Sequence, residues 1–143
     1  MRRTFGVGVV LLLAALLIPS GASGQQTGGE QASRLGQNYP NPFNPTTWIP
    51  FTLVDADFVD GKPAVVSIRI RDIHLRLVAI PTALNHAGDA RVENLEYTMA
   101  GSQLAYWDGT DRTGRKVASG IYLLELIVNG ERAGQPLKIL VAK

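Results

Sequence analysis

The sequence predicts an all-β fold: a sandwich of about seven short strands, preceded by a signal peptide. Three observations predict it. Apolar and polar residues alternate with period two from Trp48 onward, turn-forming residues separate the alternating runs, and no window after residue 24 carries a capped helical period.

Arg2 and Arg3 precede an apolar run over residues 5–18, followed by Pro19 and the small residues Ser20, Gly21, Ala22, Ser23 and Gly24. A basic start, a short apolar centre and a small-residue exit are the parts of a secretory signal peptide, here residues 1–24. The run is shorter than the roughly 20 residues that cross a bilayer core, so no permanent membrane span is expected. Cleavage after Gly24 and cleavage after Ala22 satisfy the small-residue rule equally. Arg2-Arg3-Thr4-Phe5 has some likeness to a twin-arginine signal, but a basic start alone accounts for the pair.

The chain has 143 residues, 14 Lys+Arg against 12 Asp+Glu, no Cys, and only His74 and His86 as histidines. Without Cys there is no disulfide framework, thiolate nucleophile, Cys-ligated zinc or lipoprotein anchor, and two histidines leave little for a metal centre. No metal or other cofactor is expected. Loss of residues 1–24 removes two arginines and no acid, which leaves 119 residues with 12 charges of each sign. A formal charge of zero makes no electrostatic case for a nucleic-acid or anionic-membrane partner.

Residues 25–34 are polar, rich in Gly and Gln, and read as a flexible leader. In Asn38-Tyr39-Pro40-Asn41-Pro42-Phe43-Asn44-Pro45 the prolines fix φ and bar both helix and central strand, while Tyr39 and Phe43 offer apolar faces that can pin the segment to a sheet. Ile49, Phe51 and Leu53 then alternate with Pro50 and Thr52; because Pro50 cannot donate to a ladder, this strand is expected at a sheet edge. Val66, Ile68 and Ile70 alternate with Ser67, Arg69 and Arg71, and residues 75–80 return after Asp72 as a tight hairpin. Residues 82–91 are polar and 92–99 make a weak strand, so 81–100 stays open between strand and loop.

Residues 103–107 lead into the turn residues Asp108-Gly109 and Thr113-Gly114. The strongest strand is 121–128, apolar on both faces and therefore expected at the centre of a sheet. Asn129-Gly130 supplies a hairpin turn, and Leu137, Ile139 and Val141 alternate with Lys138 and Leu140 in a last strand. The spacing suits a sandwich of immunoglobulin or fibronectin type III style without its Cys pair, with Trp107 as a candidate core aromatic.

The run over residues 35–47, which contains Asn38 to Pro45, followed by Ile49-x-Phe51-x-Leu53, closely resembles the opening of the type A C-terminal sorting domain of the bacterial type IX secretion system. Further pieces follow in that family's order: the Val66/Ile68/Ile70 strand ending in Asp72, Tyr106-Trp107-Asp108-Gly109-Thr110-Asp111, Gly114 to Ser119-Gly120-Ile121-Tyr122, and a final Lys-containing strand. The immunoglobulin-like domain of flagellar hook-capping proteins is a related resemblance. The likeness covers residues 35–143, expected as the folded domain.

The resemblance implies a two-stage route. A signal peptide takes the chain to the periplasm; the outer-membrane secretion machinery then recognises the folded domain, which is removed or exchanged for a surface anchor. By the same resemblance the terminal strand with Lys138 and Lys143 is the recognition element. Residues 38–45, with Trp107, Asp108, Gly109, Ser119, Gly120 and Tyr122, are mainly structural. The sequence departs from the family in three places: Ile70-Arg71-Asp72 is followed by Leu75 where a Tyr and a turn Gly are usual, residues 80–101 are longer than usual, and only a short leader precedes the domain where a large cargo is the norm.

Other chemistry has a plainer account. Asp108 and Asp111 place two carboxylates in one loop, but without the alternating acids and distal Glu of an EF-hand they are turn residues. His74 and His86 lack neighbours at ligand spacing and read as solvated. Ser119 lacks a nucleophile elbow and a base, and reads as a small residue at a bend. Tyr39, Phe43 and Trp48 could form an aromatic platform, with core or clamp packing the favoured reading. Arg69, Arg71 and Arg76 fall on the wet face of one hairpin, where solvation is the default.

The expected function is that of a non-catalytic, exported sorting and surface-display module. The alternative is a standalone adhesive or assembly module that binds a surface protein or polysaccharide through loops and edge strands. A small hydrolase has no convergent acid, base and nucleophile to support it.

Overall fold

The computed structural model describes residues 32–143; the expected signal peptide and most of the leader lie outside the described residues. Alternating sequence becomes strand after strand: β1 Arg34–Leu35, β2 Thr47–Leu53, β3 Ala64–Arg71, β4 Leu77–Ala79, β5 Thr82–Ala83, β6 Leu95–Tyr97, β7 Gly101–Trp107, β8 Gly120–Val128, β9 Glu131–Arg132 and β10 Leu137–Val141. Seven of these have three or more residues, and three are two-residue pieces. Two short 3-10 turns, Asp55–Asp57 and Val59–Gly61, join β2 to β3. Among the described residues no helix is long and apolar enough to cross a membrane.

The strands form two antiparallel sheets, one ordered β1-β2-β7-β5 and the other β10-β8-β3-β4, with β6 on β3 and β9 on β8. The expected fold class, an all-β sandwich, is the one observed. Period two drives it: Ile49, Phe51 and Leu53 of β2 face Val66, Ile68 and Ile70 of β3 and Leu124 and Leu126 of β8 across one continuous core, all at most 1% exposed. Residues 121–128 lie between β10 and β3, the central place expected of them.

Four details correct or complete the sequence expectation. Pro50 does not mark a sheet edge, because β1 pairs along the far side of β2. The Pro50 carbonyl accepts the Gly36 N–H at 2.8 Å on that side, so the missing Pro50 donor also faces β1 and the β7 ladder loses nothing. Second, Ser33 is buried and Arg34 belongs to β1, so the last residues of the expected leader are part of the fold. Third, the open 81–100 segment holds two short strands, β5 and β6, with Asn85 and Asn94 turning at positive φ. Fourth, the Asn129-Gly130 turn, both residues at positive φ, folds β9 back onto β8 before the chain reaches β10. The hairpin after Asp72 forms as expected, with Leu75 taking the positive φ that a turn Gly would otherwise supply.

Candidate functional site

Residues 38–45 cross from one sheet to the other. At the start of the segment, Tyr39 exchanges both backbone hydrogen bonds with Trp48 of β2, at 3.0 and 2.9 Å. Near its end, Phe43 pairs in parallel with Val141 of β10: the Phe43 N–H donates to the Leu140 carbonyl, and the Phe43 carbonyl accepts the Ala142 N–H, each at 3.0 Å. Asn41 Oδ1 accepts the Leu140 N–H at 3.0 Å. Part of the outer edge of β10 is thereby closed by main chain and side chain, which a terminal edge strand needs.

Asn38 sets the bend. It is 1% exposed, and its Nδ2 donates to Thr47 Oγ1 at 2.9 Å and to the Pro40 carbonyl at 3.1 Å. A buried amide is tolerated because these partners satisfy it. Phe43 drops into the core against Trp107, ring centroids 5.2 Å apart.

The loop after β7 meets the same segment. Trp107 is 2% exposed, and its Nε1–H donates to the Thr110 carbonyl at 2.9 Å. Asp108 Oδ1 accepts from the Thr110 N–H at 3.0 Å and hydroxyl at 2.6 Å; Asp111 Oδ1 does the same for Thr113 at 2.8 and 2.6 Å. These are side-chain turns of the kind expected from Asp. For Asp108, partial burial pushes the carboxyl pKa up, but the Thr110 bonds and the Lys116 charge leave it below its ordinary value. The Thr113 hydroxyl bond and the Arg115 N–H likewise lower Asp111. Both carboxylates are committed to their own turns, and among the described residues no group of three or more His, Cys, Asp or Glu is placed to hold a metal ion.

Ser119, Gly120 and Tyr122 complete the cluster. The Tyr122 ring lies 5.8 Å from Trp107, edge to face, and its hydroxyl donates to the Ala118 carbonyl at 2.9 Å. Burial and then the Asp72 charge raise the Tyr122 pKa. Ser119 Oγ accepts the Lys143 N–H at 3.2 Å, a tether for the chain end. Gly120 pairs with Val141 at the start of β8. The structure thus brings residues 38–45, Trp107 to Gly109, Ser119 to Tyr122 and Lys143 together around the end of β10.

Lys138 stands apart at the start of that strand, exposed and paired across from Leu123. Ile139 and Val141 point into the core, at 1% and 3% exposure, while Leu140 and its cross-strand partner Ile121 are 40% and 49% exposed. Lys138, Leu140, Leu123 and Ile121 therefore share the outer face of the sheet. The exposed Ile121–Leu140 pair was not anticipated. The signal was present, since Ile121 and Leu123 have the opposite parity to the buried Tyr122 and Leu124.

The remaining candidates disperse. Phe43 packs into the core, the favoured reading for the three aromatics, whereas Tyr39 and Trp48 stay 50% and 37% exposed, stacked at 5.9 Å, with Tyr106 a further 5.9 Å along. His74 is exposed, but His86 is half-buried with its ring edge-to-face on Tyr97 at 4.6 Å. Arg71 is not simply solvated: it pairs with Glu125 at 2.6 Å, and Arg132 closes the other carboxylate oxygen at 2.8 Å. No protein-family model, curated protein or solved structure matches the chain.

Proposed function

We propose that the chain is a non-catalytic, exported sorting and surface-display module whose terminal strand is read by an outer-membrane secretion machinery. One observation carries the reading. The stretches that resemble a type IX sorting domain converge on β10 and hold it so that Lys138 and Leu140 face outward and Lys143 is exposed just beyond its end, while Ile139 and Val141 anchor it inward. A recognition strand must be both fixed in place and accessible, and this arrangement provides both.

The test leaves the buried face intact. Removing residues 137–143 would strip Ile139 and Val141 from the core, so failure to export would report unfolding. The informative variant is Lys138→Glu with Leu140→Asp, expressed with the signal peptide in a host carrying the secretion system. The expected outcome is folded protein held in the periplasm, with Glu96→Lys, an exposed charge reversal on the same sheet, delivered normally. Surface delivery of the double variant at the wild-type level would overturn the reading.

A second reading, a standalone adhesive or assembly module, is favoured by the row of exposed Tyr39 and Trp48 with half-buried Tyr106 beside them. Retention of intact protein at the surface by a protein or polysaccharide partner, lost on Trp48→Ala, would support it over sorting.

A further inference from the structure

A cleft of about 550 Å³ opens between the turn joining β3 to β4 and the loop over residues 108–118, lined by Asp72, Arg76, Asp111, Arg112, Arg115, Lys116 and Tyr122 among others. Its two acids are occupied. Asp72 Oδ1 accepts the backbone N–H groups of His74 and Arg76 at 2.9 and 3.0 Å, and Oδ2 pairs with the Arg76 guanidinium at 2.7 Å. Asp111 Oδ1 accepts from Thr113 and from the Arg115 N–H at 3.1 Å, and its other oxygen lies 3.6 Å from Arg115 Nε.

Arg76 and Arg115 are therefore neutralised locally. Arg112 and Lys116 form no ion pair: among the described residues neither has a carboxylate within ion-pair distance, Lys116 Nζ donates to the Asp108 main-chain carbonyl at 3.3 Å, and its charge reaches the Asp108 carboxylate only beyond that range. Among the residues lining the concavity four cations stand against two acids, an excess of two positive charges, with the Asp108 carboxylate acting on Lys116 from outside the lining. Both unpaired heads are exposed, and the Arg112 backbone is fixed by its N–H bond to the Val78 carbonyl at 3.0 Å.

We propose that this cleft binds a phosphoryl group, as a phosphomonoester, through the Arg112 guanidinium and the Lys116 ammonium. The charge decides the ligand class. A phosphomonoester carries roughly −1.5 to −2 near neutral pH and matches the two free cations, whereas a single carboxylate leaves one unmatched. A guanidinium fork meets two phosphate oxygens at once, and the ammonium supplies a point charge beside it. The cleft shares Tyr122 with the cluster at the end of β10 but contains none of Lys138, Leu140 or Lys143, so its test is distinct from the test of the sorting reading.

The test is calorimetric titration of the purified chain with inorganic phosphate, glucose 1-phosphate and phosphatidic-acid vesicles. Glucose and phosphatidylcholine vesicles are the counterparts without a phosphomonoester. Saturable binding with Kd at or below about 1 mM is expected for at least one phosphate carrier, and the tightest names the source: free ion, sugar phosphate or lipid headgroup. Arg112→Gln with Lys116→Gln should weaken it at least tenfold at an unchanged melting temperature. Arg112→Lys, which keeps the charge and loses the fork, should weaken it severalfold. Arg34→Gln with Arg69→Gln removes the same charge elsewhere and should leave binding unchanged. Absence of saturable binding in that range, or equal weakening by the two charge-matched pairs, overturns the proposal.

Discussion

Gly109 lies directly against Pro45: a Cβ at position 109 would stand 2.2 Å from the Pro45 carbonyl oxygen, a distance no real side chain adopts. Gly109 also holds φ at 74°. The loop after β7 and the 38–45 segment thus meet backbone to backbone, and two independent constraints demand glycine there. Gly109→Ala is expected to cost about 3 kcal/mol, from the positive φ together with forced overpacking. Gly114 has a similar φ of 82° with nothing within 4 Å of its Cβ position, so Gly114→Ala should cost only about 1 kcal/mol. Urea midpoints of the two variants at equal m-value measure the difference, and equal losses would show that the contact with Pro45 contributes nothing.

Alternation in β10 makes a second contrast. Ile139 is 1% exposed and Leu140 is 40% exposed. Ile139→Ala should destabilise by about 2–5 kcal/mol through lost transfer and a residual cavity, while Leu140→Ala should stay within about 0.5 kcal/mol. A reversed order in thermal melts would mean that the strand sits one residue out of this register.

Legibility followed locality. The long strands were readable because period two needs only neighbours in sequence, and the Asp108 and Asn129 turns because Asp-Gly and Asn-Gly carry their backbone preference with them. The position of β2 was not, because the two-residue β1 that removes its edge straddles the boundary drawn between leader and domain, with Arg34 in a segment whose composition reads as leader. Burial of Glu125 was invisible for a similar reason. It takes Arg71 from β3 and Arg132 from β9, 54 and 7 residues away, to enclose one carboxylate. At the β10 cluster the residue types were evident early, yet their meeting depends on Phe43 reaching Val141 across the sandwich, a contact no local pattern encodes.

That buried acid leads to a third expectation. The Glu125 side chain is 8% exposed, its partners Arg71 and Arg132 are 22% and 57% exposed, and the first of them can only partly rehydrate if the acid is lost. Glu125→Ala should cost about 1–3 kcal/mol. Arg132→Ala, removing the more exposed partner, should cost under about 1 kcal/mol. A double-mutant cycle on Arg71 and Glu125 isolates their coupling, and a value of zero would reduce the pair to a surface contact.

Tyr97 behaves oppositely. Its hydroxyl is buried with no hydrogen-bond partner among the described residues, and burial pushes its pKa to about 12. The ring still packs edge-on against Phe51 at 5.7 Å. Removing the hydroxyl while keeping the ring should therefore be neutral or stabilising by up to about 1 kcal/mol. A loss of more than about 1 kcal/mol in Tyr97→Phe would reveal a partner for the oxygen.

The side-chain turns after β7 contribute to the acid sensitivity of the fold. Thr113 and the Arg115 N–H hold the Asp111 carboxyl below its ordinary value of 3.8, and Asp108 is lowered as well. A lowered folded pKa means that the unfolded chain binds protons first as the pH drops. The stabilisation is complete above the unfolded value and is lost as the pH falls through the folded one. Melting temperature should therefore hold level above about pH 5 and decline steadily below about pH 4. Asp111→Asn should melt lower than wild type at neutral pH and decline less in acid, so that the two curves converge toward pH 2. Parallel curves over that window would mean that the Asp111 carboxylate contributes no pH-linked stability.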